Sequence, residues 1–433
     1  MTLPDRLLAQ RIIETLGQAG TPPVYGVSYY NVGNETLLST LENHYLSSYL
    51  ADGGAAFKLV VGDYGSGKSH FLYCVRDRAW GHRYAVSKVD LSPKETPYND
   101  QRSVYIAVAA NILWHDPADP YVPEKGLARF LSGTLHTLIR ECGLDPQDHQ
   151  AAELPEVKAF LDTLDRTPID SMSFHAAVCS YFRALLQGDE AQQAALERWL
   201  HGETANPDEG RLQRLLGVTD RITKNNAFKM LRSLCQSVRA IGYNGLALLF
   251  DEGDRMMSLG GRAEREATDV LREVIDRCRE DLPGTLFMYA VPNGFVTDIV
   301  PKYPALQQRL QAPSFFSRSN PFSSRIDMSR LDLDNHEFLL QLGQRLLAIF
   351  QVAFGIMLDA DIQTENIRIL ADQALEMVLP DHHRRLFVKT LVMEWYRQKE
   401  EGEQVITPEY AKAAIRGQYD SLQTLADTSQ APY

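Results

Sequence analysis

The sequence predicts an α/β fold: a parallel β-sheet flanked by helices, with a helical insertion and a C-terminal helical lid. Three observations carry that reading. Short apolar runs recur without polar alternation, at Leu59-Val60-Val61, Leu246-Ala247-Leu248-Leu249-Phe250 and Thr285-Leu286-Phe287-Met288-Tyr289-Ala290-Val291. Runs of this kind mark strands buried on both faces. Between the first run and a stretch free of glycine and proline lies Gly62-Asp63-Tyr64-Gly65-Ser66-Gly67-Lys68-Ser69, which fits G-x-x-x-x-G-K-[ST]. Strand, glycine-rich loop and helix in that order form a phosphate-binding unit. Finally, Ala267, Val270, Leu271, Val274, Ile275 and Cys278 make one apolar stripe on an otherwise charged helix. The class is that of a P-loop NTPase.

Taken in order, residues 4–18 are expected to be helical, with Leu7, Leu8, Ile12, Ile13 and Leu16 on one face, and Gly20-Thr21-Pro22-Pro23 ends the helix. A second helix is expected from Glu35 to Leu50, with Asn34 and Thr36 as cap residues. The lead-in around Tyr30 has two readings, packing against an adenine or plain core packing. Tyr84 to Leu91 reads as the next strand, Pro93 to Asp100 as a turn, and Tyr105 to Trp114 as an apolar helix. From about 117 to 225 the pattern is helical, interrupted by prolines, and shows no strand signal. That length inside a nucleotide-binding sheet reads as an insertion, either a partner surface or packing bulk. A helix over Phe228–Ala240 stops at Gly242, and Ile326 to Leu333 reads as a last strand. Beyond Asn335 four helices are expected: Glu337–Phe354, Ile367–Met377, Arg384–Tyr396 and Pro408–Leu425. The organisation is therefore a lead-in (1–55), an ATPase core (56–334) with its insertion, and a lid (335–433).

The chain has 433 residues, 44% hydrophobic and 23% charged, with a net charge of −12. That balance argues against autonomous, non-specific nucleic-acid binding, which needs a basic excess. The five cysteines are scattered, with no C-x-x-C pair, so neither a disulfide framework nor a zinc site is expected, and a reducing cytoplasm fits. Asp5, Arg6 and Arg11 interrupt any secretory signal core, and the most apolar stretch, Leu346 to Leu358, is too short to span a bilayer.

Chemistry concentrates at a few positions. Backbone N–H groups of Gly62 to Ser69 and the following helix start, including His70, form an anion cradle. Lys68 would reach the β- and γ-phosphates and Ser69 would hold Mg²⁺. The strand ending Asp251-Glu252 places two acids at the edge where open parallel sheets bind ligands. There Asp251 would hold Mg²⁺ and Glu252 would serve as general base toward water. Asn293, just past the next strand, reads as a phosphate or water sensor, with a simple Asn-Gly turn as the alternative. Arg309 reads as an arginine finger acting on a neighbouring subunit, which requires self-association; Arg318 and Arg325 are weaker alternatives. Arg384 and Arg385 open a helix in the lid, and Arg385 is the preferred cation to reach the nucleotide.

VGDYGSGKSHFL (61–72), GLALLFDE (245–252), YPALQQRL (303–310) and the opening around Tyr30-Asn31-Val32-Gly33 together resemble the BREX phage-defence ATP-binding family BrxD. The resemblance covers most of the chain. It implies an AAA+-like ATPase near the origin-recognition branch, with Lys68 and Ser69 on phosphates and Mg²⁺, Asp251 on metal and Glu252 in acid–base work. It also implies a role in bacterial defence beside a helicase-like protein and other BREX components. His382-His383-Arg384-Arg385 departs from the shorter Pro-Arg pattern of related lids. The function expected is an ATPase that assembles or remodels a defence complex, on double-stranded DNA. The alternatives are a nucleotide-gated switch with negligible turnover and an initiator-type DNA-binding regulator.

Overall fold

A computed structural model of the chain describes residues 3–92, 96–115, 124–253, 261–278, 282–310, 314–376 and 383–429. In chain order the elements begin with α1 (Arg6–Ala19), α2 (Glu35–Leu41), β1 (Ala55–Val61), α3 (Lys68–Gly81), β2 (Tyr84–Asp90), α4 (Gln101–Ala110), β3 (Ile112–Trp114) and β4 (Glu124–Lys125). Helices α5 (Leu127–Glu141), α6 (Pro155–Arg166), α7 (Met172–Gln187), α8 (Glu190–Leu200), α9 (Pro207–Leu215) and α10 (Ala227–Ala240) follow. Then come β5 (Gly245–Asp251), α11 (Gly261–Arg277), β6 (Thr285–Val291), α12 (Pro304–Leu310) and β7 (Arg325–Asp327). The chain finishes with α13 (Asn335–Phe354), α14 (Ala360–Glu376), α15 (His383–Glu401) and α16 (Pro408–Ser429). Two compact units result, one from residues 40–61 and 78–326, the other from 1–39, 62–77 and 327–433.

The sheet belongs to the first unit and runs β4-β3-β2-β5-β6-β1-β7. The pairs β2–β5, β5–β6 and β6–β1 are parallel, whereas β3 and β4 extend the β2 edge antiparallel. Every residue of β5 and β6 is buried, which is why these strands read as unbroken apolar runs. Phe250 stacks on Phe287 at 4.8 Å and Phe57 on Phe287 at 5.7 Å, so aromatic rings bridge three neighbouring strands. Register sets Phe250, Tyr289 and Leu59 across from one another, and the parallel strands finish at one edge. Helices α5 to α10 share the sheet's core through Phe130, Phe174, Phe182 and Trp199. The Tyr105 hydroxyl donates to Leu200 O at 2.7 Å and Arg102 Nη2 to Gly202 O at 2.6 Å, binding this helical stretch to α4.

Three expectations are corrected here. The helix expected to run to Trp114 ends at Ala110; Asn111 Nδ2 donates to Ala107 O at 2.9 Å, and Ile112–Trp114 pairs with β2 as a strand. Three consecutive large apolar residues suit either state, and the free edge of β2 decides. The stretch expected to hold no strand contains β4, whose two polar residues pair with β3 for the same reason. The last strand is only three residues long, because Asp327 Oδ1 turns back to accept from Ser329 N at 3.0 Å and Ser329 Oγ at 2.7 Å. Residues 93–95 and 117–123, together with Met377 and His382, lie outside the described residues. Among the described residues no helix is long and apolar enough to cross a membrane.

One polar residue sits in the middle of β1. Lys58 is 1% exposed, and its ammonium donates to the Tyr45 hydroxyl (2.8 Å), Pro321 O (2.9 Å) and Ser323 O (2.7 Å). It also lies over the Tyr45 and Phe316 rings. Burial lowers its pKa from 10.5 to about 7.

In the second unit α1 packs on α13 and α15, and α14 packs on α13, α15 and α16. Phe350 meets Trp395 at 5.4 Å in this apolar layer. Beside it runs a buried polar network. Trp395 Nε1 donates to Gln363 Oε1 (3.1 Å), Gln363 Nε2 to Gln398 Oε1 (2.8 Å), and Gln398 Nε2 to Glu394 Oε1 (2.7 Å). Asn366 closes it, donating to Gln404 O at 3.0 Å and accepting from Ile406 N at 2.8 Å. A network this buried stabilises only when every member is satisfied.

Asn366→Ala should therefore strand the Ile406 N–H and lower stability by about 1–3 kcal/mol in urea unfolding. Lys58 gives a pH-dependent expectation. Below about pH 7 both folded and unfolded chains hold its proton, and no slope arises. Between about 7 and 10.5 only the unfolded chain holds it, so folding gains stability as pH rises. The stability of wild type relative to Lys58→Met should rise across that window by at most about 1.4 kcal/mol per pH unit.

Candidate nucleotide-binding site

The loop Gly62–Gly67 leaves the buried end of β1, and α3 begins at Lys68. Gly65 (φ 75°) and Gly67 (φ 93°) occupy the left-handed region, where an L side chain costs about 1–2 kcal/mol. A Cβ on Gly62 would lie 2.5 Å from Ser66 Oγ and 2.9 Å from Met328 Cβ. The loop is therefore curled so tightly that glycine is required, and its amides run into the positive end of α3. Lys68 Nζ donates to Gly62 O (2.7 Å) and Asp63 O (2.9 Å), which holds the ammonium against the loop. The Ser66 hydroxyl is buried without a hydrogen-bond partner. Asp63 and Tyr64 are exposed, and Ser69 is the second residue of α3.

Arginine from the C-terminal helices reaches this loop, but it is Arg384 rather than the expected Arg385. Arg384 Nη1 donates to Ser66 O at 2.6 Å, its guanidinium lies 4.4 Å from the Phe338 ring centre, and burial lowers its pKa to about 10. Arg385 turns away, and its Nε donates to Ala19 O at 2.8 Å at the end of α1. Consecutive residues on a helix point about 100° apart, so only one of the two can face the loop.

His70 faces the lead-in segment. Its Nε2 lies 3.0 Å from Asn31 Oδ1, which also accepts from Cys74 Sγ, and its ring meets Tyr30 at 5.0 Å. Burial, reinforced by Arg384, lowers its pKa to about 4, so the imidazole is neutral near pH 7 and donates from Nε2 to the Asn31 oxygen. Asn31 had no apolar-pattern signal of its own. Its role emerges only when α3 and the lead-in are packed.

At the sheet edge Asp251 ends β5, is 3% exposed, and accepts from Glu252 N at 2.9 Å. Its Oδ2 lies 3.4 Å from Lys88 Nζ. Glu252 has φ 56°, one of two non-glycine residues with positive φ among the described residues. Strain of that kind concentrates at functional positions. A Cβ on Gly253 would meet Ala290 O at 2.6 Å, so glycine is needed where the chain turns away from β6. Past β6, Phe295 N donates to Pro292 O at 3.1 Å, so Asn293 and Gly294 (φ −56°, ψ −28°) are the central pair of a turn that leads into a short helix. Arg309 pairs within its own chain, to Asp276 and to Ala305 O (2.7 Å), and that pairing raises its pKa. Arg318 is exposed, and Arg325 lies over Phe315.

Among the described residues no group of three or more His, Cys, Asp or Glu could hold a metal ion. The Ser69 hydroxyl and the Asp251 carboxylate, each in its own unit, are hard oxygen donors of the kind Mg²⁺ takes. The glycine cradle and the unpartnered Ser66 hydroxyl fit a phosphate.

A loop of this geometry at the end of a buried parallel strand, in a sheet whose β5, one strand further along past β6, ends in an acid, defines a P-loop ATP-binding fold. The family model described as BREX system ATP-binding protein BrxC/D matches residues 5–409, and the chain belongs to that family. No match was found among curated proteins or among solved structures.

Two substitutions separate the backbone demands of the site. Gly67→Ala should lose about 1–2 kcal/mol in thermal or urea unfolding, while Glu252→Gly should gain up to about 1 kcal/mol by relieving a positive φ.

Proposed function

We propose that the chain hydrolyses ATP at Gly62–Ser69 and uses turnover to assemble or remodel a phage-defence complex. The observation that carries this reading is the glycine-built loop opening onto α3 with Lys68 folded against it. In this account the loop amides and Lys68 grip the β- and γ-phosphates, and the Ser66 hydroxyl gains a partner there. Ser69 and Asp251 would hold Mg²⁺, which, when bound, offsets the charge of the phosphates. Glu252 accepts the proton of the attacking water, and Asn293 orients that water or the γ-phosphate. Arg384 is the lid cation that supports the loop, and it replaces Arg385 in that role. Arg309 acts on a neighbouring copy's nucleotide once it leaves Asp276, which requires a homo-oligomer. DNA and a helicase-like BREX protein are the proposed partners, and the net charge of −12 confines any DNA contact to a local surface.

A nucleotide-gated switch with negligible turnover is the second reading, and the pairing of Arg309 with Asp276 in the single chain favours it. ATP turnover decides between them. Wild type should turn over, Lys68→Ala should lose nucleotide binding, and Glu252→Gln should bind ATP while turning over about 10²–10⁴-fold more slowly. A wild type no faster than Glu252→Gln, with partners and DNA present, refutes hydrolysis. Arg384→Ala should weaken nucleotide binding more than Arg385→Ala in calorimetric titration. Sedimentation with and without ATP and Mg²⁺ tests self-association; a monomer throughout removes Arg309 as a finger.

A further inference from the structure

Lys88 has no part in the chemistry described above, yet it lies on the acidic strand end. It sits on β2, where Lys88 and Asp90 share one face of the sheet because side chains alternate along a strand. Asp90 is the register partner of Asp251 on β5. The ammonium of Lys88 is in contact with Asp90 Oδ1 and lies 3.4 Å from Asp251 Oδ2. The two acids differ sharply in exposure: the Asp251 side chain is 5% exposed and that of Asp90 is 64% exposed, while Lys88 is 9% exposed.

A carboxylate as buried as that of Asp251 needs a compensating charge beside it. Lys88 supplies one. A divalent cation at Asp251 would supply the same compensation and would repel the ammonium beside it. Asp90 offers Lys88 a second carboxylate, already in contact and open to water, where the charge can be held without burying another ion. The strand pairing thus builds one cation between two acids, only one of which faces the buried edge.

We propose that Lys88 is a positioning residue that pairs with the Asp251 carboxylate in the absence of metal and gives it up to Mg²⁺, moving fully onto Asp90 when the metal binds. This rests on the proposal that Asp251 is a Mg²⁺ ligand. Its consequence is that Lys88 and Mg²⁺ compete for Asp251, so the Mg²⁺ requirement for nucleotide binding is set partly by Lys88 and Asp90.

The test uses the full chain and a fluorescent ATP analogue, with binding rather than turnover as the readout and Mg²⁺ as the titrant. Lys88→Met should lower the half-saturating Mg²⁺ concentration about 5-fold or more, and Asp90→Asn should raise it. A half-saturation that stays the same or rises in Lys88→Met overturns the exchange. Melting without nucleotide or Mg²⁺ tests the pair itself. Lys88→Met should melt several degrees below wild type, and Lys88→Met/Asp251→Asn should recover part of that loss. A double variant melting no higher than Lys88→Met refutes the compensating role. Analogue binding by wild type that ignores Mg²⁺, with the melting recovery intact, overturns the exchange and the metal role of Asp251 but leaves nucleotide binding standing. No analogue binding under any condition refutes the nucleotide reading and the exchange with it.

Discussion

Everything in the candidate site depends on the backbone of one loop being held in a conformation that only glycine adopts easily. Gly65 and Gly67 lie at positive φ, and Gly62 has no room for a Cβ beside Ser66 and Met328. A curled loop leaves its amides pointing inward, which is what an anion needs, but such a loop has little stability of its own. It must be anchored at both ends. Val61 provides one anchor as the buried last residue of β1, paired in register with Val291 of β6. Helix α3 provides the other, and Phe71 N closes its first turn on Gly67 O at 2.8 Å.

Charge is handled differently in the two units. In the unit that contains the sheet, buried ions are compensated locally: Asp251 by Lys88 at the strand edge, and Lys58 by two carbonyls, a hydroxyl and two aromatic rings, with no carboxylate among the described residues. Lys58 thus keeps its hydrogen bonds but loses basicity, because neutral acceptors offset desolvation less well than an anion does. In the other unit, the buried polar groups of α14 and α15 satisfy one another through Gln363, Asn366, Glu394 and Gln398. Arg397 and the Tyr410 hydroxyl complete the Glu394 carboxylate. Such a network specifies one packing of these helices, since any other would leave several groups unpaired.

Much of the site was legible from residue order. The strand–loop–helix around Gly62–Ser69 and the strand ending Asp251-Glu252 are local patterns, and local patterns survive folding because hydrogen bonding within strands and helices follows periodicity. Contacts that join distant segments were not legible. Asn34 and Thr36 read from sequence as cap residues of α2, yet Thr36 N is satisfied by the Asp332 carboxylate at 3.0 Å, almost three hundred positions away. Nothing in His-Arg-Arg says which side of α15 faces the loop, and only the folded chain turns Arg384 to Ser66 and Arg385 to Ala19. The apolar trio Ile112–Trp114 fits helix or strand, and only the open edge of β2 selects the strand.

By itself, then, the sequence determined the fold class, the glycine-rich loop between strand and helix, and the acids at a strand end, because each is written in neighbouring residues whose backbone preferences and periodicity are intrinsic. Tertiary structure alone decided that Arg384 meets Ser66, that His70 is a neutral partner of Asn31, and that Lys88 stands beside Asp251. Those choices depend on which faces of helices and strands are brought together. Burial then sets the charge each side chain can carry there, and no short stretch of chain encodes that environment.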